Sequence, residues 1–317
     1  MATLFSSAAM FGKSLPKIST MTKFAKIIEV SPRDGLQNEK IVLPLAKKLC
    51  LIKRLEDSNI KNIEVASFVN PKLVPQMADS VQLVRHLENK PFTNYSALVP
   101  NIKGYTNGIH QKNINQENVP VSEIVLFTAA SETFNKKNTN SSIQESFVRF
   151  DQVVQQAKKD GLLIRGSISC CLGCPYEGEV HEDKVVDVIR RYLDLGVDTI
   201  DIADTIGVGG PKQIYKILRK AMKYTSPHNL TGHFHDTNNT ALDLVDICLD
   251  NGVNTFHSSV GGLGGCPFSP KRAGNLSTEK LVDHLHKQNV YTGVNIEKIK
   301  ETSDWILQTF KEMKNIN

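Results

Sequence analysis

Eight short β-rich runs recur along the chain, at residues 27–31, 62–66, 95–99, 123–127, 164–170, 199–203, 230–235 and 254–259, with starts 35, 33, 28, 41, 35, 31 and 24 residues apart. That interval matches one strand–helix unit of a parallel sheet. The segments between the runs carry the helical counterpart. Leu45, Leu49, Ile52 and Leu55 return at steps of four, three and three, and Ile143, Phe147, Phe150 and Val154 at four, three and four, so each set lines one apolar helix face. Ser142-x-x-Glu145 has the spacing of a capping box at the start of the second helix, and Pro44 and Pro211 stand where a first helical turn tolerates proline.

Eight alternating units with no long polar break predict an α/β chain closed into a (β/α)8 TIM barrel. A doubly wound sheet would more often carry a glycine fingerprint after its first strand, whereas Pro32-Arg33-Asp34-Gly35 follows here. A barrel takes roughly 250 residues. The predicted organisation is therefore one barrel domain over residues 27–317, with a C-terminal helical extension and no second domain. Residues 1–26 read differently: they hold Lys13, Lys17, Lys23 and Lys26, no acidic residue, several Ser and Thr, and scattered apolar residues. That is the make-up of a mitochondrial transit peptide, and it predicts delivery to the matrix.

The net charge of +5 shrinks once the leader's lysines are set aside, leaving 34 Lys and Arg against 33 Asp and Glu. A near-neutral body argues against nucleic acid as a partner. No apolar run reaches the roughly 18 residues of a membrane span. The six cysteines, Cys50, Cys170, Cys171, Cys174, Cys248 and Cys266, are too scattered for a disulfide framework. Cys171 and Cys174 have CxxC spacing but lack the second close pair of a structural zinc site, so packing or loop shape is their expected role.

In such a barrel the chemistry lies at the C-terminal ends of the strands. His233 and His235 are two residues apart, so an extended strand turns both to one side with Cα atoms ~7 Å apart, where two neutral imidazoles can chelate one divalent ion. Asp34 after the first run and Asn275 after the eighth add oxygen donors. This mixed, mostly hard set suits Mg2+ or Mn2+ and leaves positions open for substrate. Glu64 alternates with Ile63 and Val65 and so points into the barrel, where a lone carboxylate needs a cation. Arg33 is the candidate, either oriented by Glu64 for chemistry or simply paired with it. Finally, Gly261-Gly262-Leu263-Gly264-Gly265-Cys266-Pro267 has the freedom of a loop that closes on a ligand and delivers one thiol.

Several longer stretches carry a resemblance: 32–39 (Pro-Arg-Asp-Gly-Leu-Gln-Asn-Glu), 66–77 from Ala66 to Met77, 134–138 (Phe-Asn-Lys-Lys-Asn), 173–178 from Gly173 to Gly178, 204–209 from Asp204 to Gly209, and the glycine–cysteine loop. With these, the chain from about Ile27 onward resembles the 3-hydroxy-3-methylglutaryl-CoA (HMG-CoA) lyase family, within the metal-dependent barrel aldolases and Claisen-type condensing enzymes. The resemblance implies cleavage of HMG-CoA to acetyl-CoA and acetoacetate, as in ketone-body formation and leucine degradation. It also implies Asp34, His233, His235 and Asn275 as metal ligands and Arg33, Asp34, Glu64, Asp204 and Cys266 as catalytic or supporting groups. Arg33 and Gln37 would face the substrate, and Lys136, Lys137 and Asn138 would lie near the CoA entrance. A homodimer is the expected assembly.

The chain departs from the family's pattern at five places. Ser31 replaces Gly, Ser167 replaces Tyr, Asn238-Asn239 replaces Tyr-Gly, His257 replaces Asp, and Lys271-Arg272 enters a loop that is usually small and uncharged. Ser167 and His257 put the acyl group in question, by enlarging or recharging the pocket, more than the reaction type. Sister aldolases and condensing enzymes share Arg33-Asp34 and the histidine pair but lack the cysteine loop. A catalytically silent barrel would have a broken ligand set, and none of the four proposed ligands is lost here.

Overall fold

The computed structural model describes residues 23–111, 115, 117–264 and 274–316. Eight strands form its centre: β1 (Lys26–Glu29), β2 (Asn62–Ser67), β3 (Asn94–Leu98), β4 (Val121–Ala129), β5 (Leu163–Ser169), β6 (Thr199–Asp204), β7 (Leu230–Phe234) and β8 (Thr255–Ser258). All neighbours run parallel, and β8 pairs with β1 to close the ring. The predicted spacing thus becomes a (β/α)8 barrel. Individual ends differ from the sequence reading by one to two residues. β5, for instance, stops at Ser169 because Cys170 adopts a left-handed φ of 59°.

The helices follow the apolar periodicity. α1 (Leu45–Asp57) and α5 (Ile143–Lys159) turn the expected faces inward, with Ile52, Leu55, Phe147, Phe150 and Val154 buried and Leu45, Leu49 and Ile143 partly so. Ser142 and Glu145 make both halves of the capping box. Pro211 opens a later helix, Pro211–Ala221, whereas Pro44 sits one position earlier than expected, as the N-cap of α1. Strand residues facing the helices, such as Ile63, Val65, Ile200, Ile202 and Phe234, are buried with the helices' inner faces in one continuous apolar layer. The C-terminal helix, Ile296–Ile316, docks through Ile299, Ile306 and Phe310, and the guanidinium of Arg54 stacks 4.8 Å from the Trp305 ring. Among the described residues no helix is long and apolar enough to cross a membrane.

Of the stretch assigned to the leader, residues 1–22 lie outside the described residues, but residues 23–26 are part of the folded body. Lys23–Phe24 pairs in parallel with Val290–Tyr291, Ala25 is fully buried, and Lys26 begins β1.

Candidate active site

β1 ends in one wide helical turn, Ser31–Gly35, in which the Gly35 N–H donates to the Val30 carbonyl five residues back at 3.0 Å. Widened turns of this kind re-aim side chains at functional sites. Here the turn lifts Arg33 and Asp34 to the mouth. It is also crowded: a Cβ on Gly35 would sit 2.6 Å from Ser259 Oγ, which explains the glycine. Glu29, buried at the end of β1, accepts from the N–H groups of Ser31 (2.9 Å) and Val260 (3.0 Å) and from Thr278 Oγ1 (2.6 Å). One carboxylate thereby ties the Arg33 turn to the segments after β8.

His233 and His235 come off β7 on one face, as the strand period requires, with ring centroids 5.6 Å apart. His235 then pairs with Asn275, which returns from beyond β8 to the same edge. Asp34, His233 and His235 offer ligand atoms that all lie within 4.8 Å of one another. Asn275 joins them: its amide NH2 donates to Asp34 Oδ2 at 2.8 Å and to the Leu263 carbonyl at 3.1 Å, which leaves its oxygen as the donor atom for a cation. A Cβ on Gly264 would lie 2.5 Å from that amide nitrogen, so only glycine lets the loop approach so closely.

The protonation states suit a hard cation. Burial opposes ionisation of Asp34, but Arg33, then His233 and His235, outweigh it and hold the carboxyl at about 2. Burial, reinforced by His233, pushes His235 down to about 4, so its imidazole is neutral near pH 7. Its Nδ1 is buried with no hydrogen-bond partner among the described residues. Below this group the guanidinium groups of Arg33 and Arg165 contact Asp34, Glu64, Glu123 and Asp201. Burial raises the pKa of Glu123 and Asp201, whereas at Glu64 burial is outweighed by the two guanidinium groups, which hold it below the usual carboxylate range. The donor set therefore fits the metal that the sequence implies.

Beneath the ligands lies a charged layer that the sequence reading reached only at Glu64. Glu64 points inward as expected and binds Arg33 Nε, but its second oxygen accepts from Arg165 at 2.8 Å. Arg165 is fully buried and also donates to Asp201 (3.0 Å), Glu123 (3.1 Å), Ser96 (3.0 Å) and His257 Nε2 (2.8 Å). Burial works against its charge, but Asp201, Glu123 and Glu64 outweigh that and raise its pKa above the usual arginine value. The available signal was Arg165 on the inward side of β5, between Ile164 and Gly166.

Arg33 Nη1 contacts Asp34 Oδ1 at 2.7 Å and Gln37 Oε1 at 3.4 Å, so Gln37 stands where expected. Nη2 has no hydrogen-bond partner among the described residues. Asp204 is engaged elsewhere: its oxygens accept from the N–H groups of Val208 (3.2 Å) and Gly209 (2.8 Å), and it is not in the ligand group. Lys136, Lys137 and Asn138 lie on α4 (Glu132–Thr139), after β4, across the ring from β8. Lys137 Nζ sits 4.4 Å from the Tyr176 ring, and Asn138 donates to the Phe134 carbonyl at 2.9 Å. Cys266 and Lys271-Arg272 fall outside the described residues. Cys174 shapes its loop by accepting from the N–H groups of Tyr176 and Glu177, both at 3.4 Å.

Of the departures noted above, Ser167 and its register neighbour Phe127 face inward above Arg165 and are only half-buried, so the barrel is open there. His257 is almost fully enclosed, and burial, then Arg165, pushes its pKa well below the usual histidine value. It therefore adds no positive charge to the pocket.

These shifts predict acid sensitivity in metal-free protein. An unfolded His235 takes a proton near its ordinary 6.5, whereas the folded one resists until about 4, so its contribution is intact above pH 6.5 and is lost as pH falls toward 4. The expected loss is on the order of 3 kcal/mol. Urea unfolding at pH 7 and pH 4 measures it, and His235→Gln should make the fall across that window shallower, leaving the part that His257 contributes. An unchanged profile in the variant would assign the acid sensitivity to other groups.

With the geometry established, comparison with known proteins identifies relatives. A family model described as HMGL-like matches residues 25–306. The mitochondrial hydroxymethylglutaryl-CoA lyase of Rattus norvegicus is 42% identical over 301 residues, covering 95% of this chain and 90% of that protein. The crystal structure of the HMG-CoA lyase from Brucella melitensis superposes with a TM-score of 0.86 at 39% identity, covering 90% of this chain and 99% of that one. An HMG-CoA lyase from Acinetobacter baumannii, solved in complex with coenzyme A and 3-methylmalate, gives 0.83 at 32% identity, covering 90% and 91%.

Proposed function

We propose, because this chain belongs to the HMGL-like family, that it is a carbon–carbon lyase that cleaves HMG-CoA into acetyl-CoA and acetoacetate. The observation that carries the reading is the meeting of Asp34, His233 and His235 beside a guanidinium, Arg33, already ion-paired at 2.7 Å to the first of them. The cofactor is a divalent metal ion, and the hard oxygen donors favour Mg2+ or Mn2+. Asp34, His233, His235 and Asn275 would hold it, and when bound it supplies Lewis acidity that lowers the pKa of the substrate's C3 hydroxyl.

The chain's own residues account for the rest. The C3 hydroxyl proton passes to the Asp34–His233 pair, whose Oδ2 and Nε2 stand 3.7 Å apart. The C3 oxygen becomes the new carbonyl as the C2–C3 bond breaks, and the bonding electrons move onto the thioester as an enolate. Arg33 meets the developing oxygen charge, held rigid by Glu64 and Gln37 so that no reorganisation is needed at that moment. Cys266 returns a proton to C2 to complete acetyl-CoA. Phe127 and Ser167 line the opening for the acyl portion, and α4 with Lys136, Lys137 and Asn138 offers cations and an amide to the CoA moiety. Asp204 acts by holding its loop beside His235 rather than by touching substrate.

The test is direct. Purified chain incubated with HMG-CoA is expected to form acetoacetate and acetyl-CoA in equal amounts, to lose this activity after chelation and gel filtration, and to regain it with Mg2+ or Mn2+. Full turnover in verified metal-free protein would overturn the metal role, and no product with any divalent ion would overturn the substrate. A homodimer is the expected assembly, read by sedimentation of the intact chain.

The acid-free, lysine- and serine-containing composition of the first residues supports delivery to the mitochondrial matrix. Because Ala25 is buried and Lys23–Phe24 is paired, chain recovered from mitochondria is expected to begin at or before Lys23. A terminus intact from Met1 on cytosolic protein would contradict this location.

A further inference from the structure

We propose that His257 is a positioning residue that decides which nitrogen of His233 is free to hold a metal ion, with Asp201 as the group behind it. This rests on the metal reading given above. His257 Nδ1 lies 2.8 Å from His233 Nδ1, and both rings are enclosed. A hydrogen bond between two imidazole nitrogens needs a proton on one and a lone pair on the other. Two arrangements satisfy it, and they differ in what they offer a metal.

In the first, Arg165 Nη1, which can only donate, gives its proton to His257 Nε2 at 2.8 Å. A neutral His257 then carries its own proton on Nδ1 and donates it to His233 Nδ1. His233 is left with its proton on Nε2, the nitrogen that faces Asp34 Oδ2 at 3.7 Å. That nitrogen has no lone pair for a cation.

In the second arrangement the shared proton sits on His233 Nδ1 and is donated to His257 Nδ1. His233 Nε2 is then a lone-pair donor, aimed into the group formed with Asp34 and His235. His257 must carry its proton on Nε2, so Arg165 Nη1 can no longer donate to that nitrogen at 2.8 Å and has to turn aside, while Asp201 Oδ1, 3.4 Å away, stands ready as the acceptor. Arg165 Nη1 keeps its bond to the other oxygen of Asp201 at 3.0 Å. Between the two arrangements the shared proton crosses from His257 to His233, one proton leaves His233 Nε2 and one is taken up at His257 Nε2, so the pair's charge does not change. Only the second is compatible with a metal on His233 Nε2, and it makes Asp201–His257–His233 a chain of outer partners of the kind that orients metal-bound histidines. With both nitrogens of His233 engaged, the proton acceptor in the Asp34–His233 pair is Asp34.

Two measurements test this on the full chain. The first is Mn2+ binding by calorimetry to the unsubstituted protein, His257→Leu and His257→Asp, with thermal midpoints of the metal-free forms. Leucine cannot accept from His233 Nδ1 and is expected to weaken Mn2+ binding about 10–100-fold. Aspartate can accept and is expected to stay within about threefold of the parent, a rescue that packing alone does not predict. Leucine binding as tightly as the parent, or a folded aspartate variant binding as weakly as leucine, would overturn the proposal. The second needs no substitution: long-range proton–nitrogen spectra of 15N-labelled, Mg2+-saturated protein should show the protons on His233 Nδ1 and His257 Nε2. A proton still on His257 Nδ1 at saturation would also overturn it. Absence of any Mn2+ or Mg2+ binding by the unsubstituted chain would instead be a failure of the metal reading itself.

Discussion

Arg33→Gln is expected to lower kcat by ~10²–10³ with little change in KM, because the lost interaction is made to charge that appears only as the C2–C3 bond breaks. The alternative role for Arg33 is neutralising Glu64, and the structure separates the two. Glu64 Oε2 keeps Arg165 at 2.8 Å when Arg33 is changed, and the glutamine amide can still donate to Oε1. The variant should therefore fold, with a thermal midpoint close to the parent's. If instead turnover stays near normal, Arg33 has no part in the chemistry. If kcat falls only in step with the thermal midpoint, and Glu64→Gln in the same background restores both, its role is the ion pair.

Arg165→Met should act in the opposite way, on stability more than on any one kinetic constant. The substitution leaves Asp201 and Glu123 facing no guanidinium and removes one of two from Glu64. Breaking a buried charge cluster from one side typically costs ~3–5 kcal/mol, because the partners remain desolvated without compensation. Urea unfolding at neutral pH measures the loss. Arg165→Lys keeps the charge but not the planar fork that reaches several partners, so an intermediate loss is expected. A methionine variant within about 1 kcal/mol of the parent would show that the carboxylates pick up protons instead of staying ionised. Should the methionine variant be insoluble, the lysine variant carries the measurement.

What could be read from the chain alone was whatever depends on local periodicity. The spacing of the eight β-rich runs announced the barrel, and the two-residue strand period put His233 and His235 on one face and Glu64 on the inside. The Ser142 capping box and the apolar face of α5 are likewise properties of a few consecutive residues. Three of the candidate metal ligands, Asp34, His233 and His235, were legible because they lie at or just beyond strand ends, a position that a βα spacing reveals, whereas Asn275 lies well past the end of β8.

Closure of the barrel decided the rest. Asn275 and Asp34 are 241 residues apart and are joined at 2.8 Å because β8 and β1 become neighbours only once the ring is shut. Arg165 and Glu64, 101 residues apart, meet at 2.8 Å across the barrel interior from β5 and β2, which are not adjacent in the sheet. No local pattern encodes either meeting. The inward-facing Arg165 was visible as a residue but not as the centre of a charge layer, and the same holds for His257 against His233 and for Glu29 against Thr278. Asp204 shows the converse: the resemblance marked it as a catalytic or supporting group, while the N–H groups of Val208 and Gly209 in the turn that follows reach its two oxygens. A carboxylate's role is set by which hydrogen-bond donors reach it, and on a barrel most of those donors come from distant sequence.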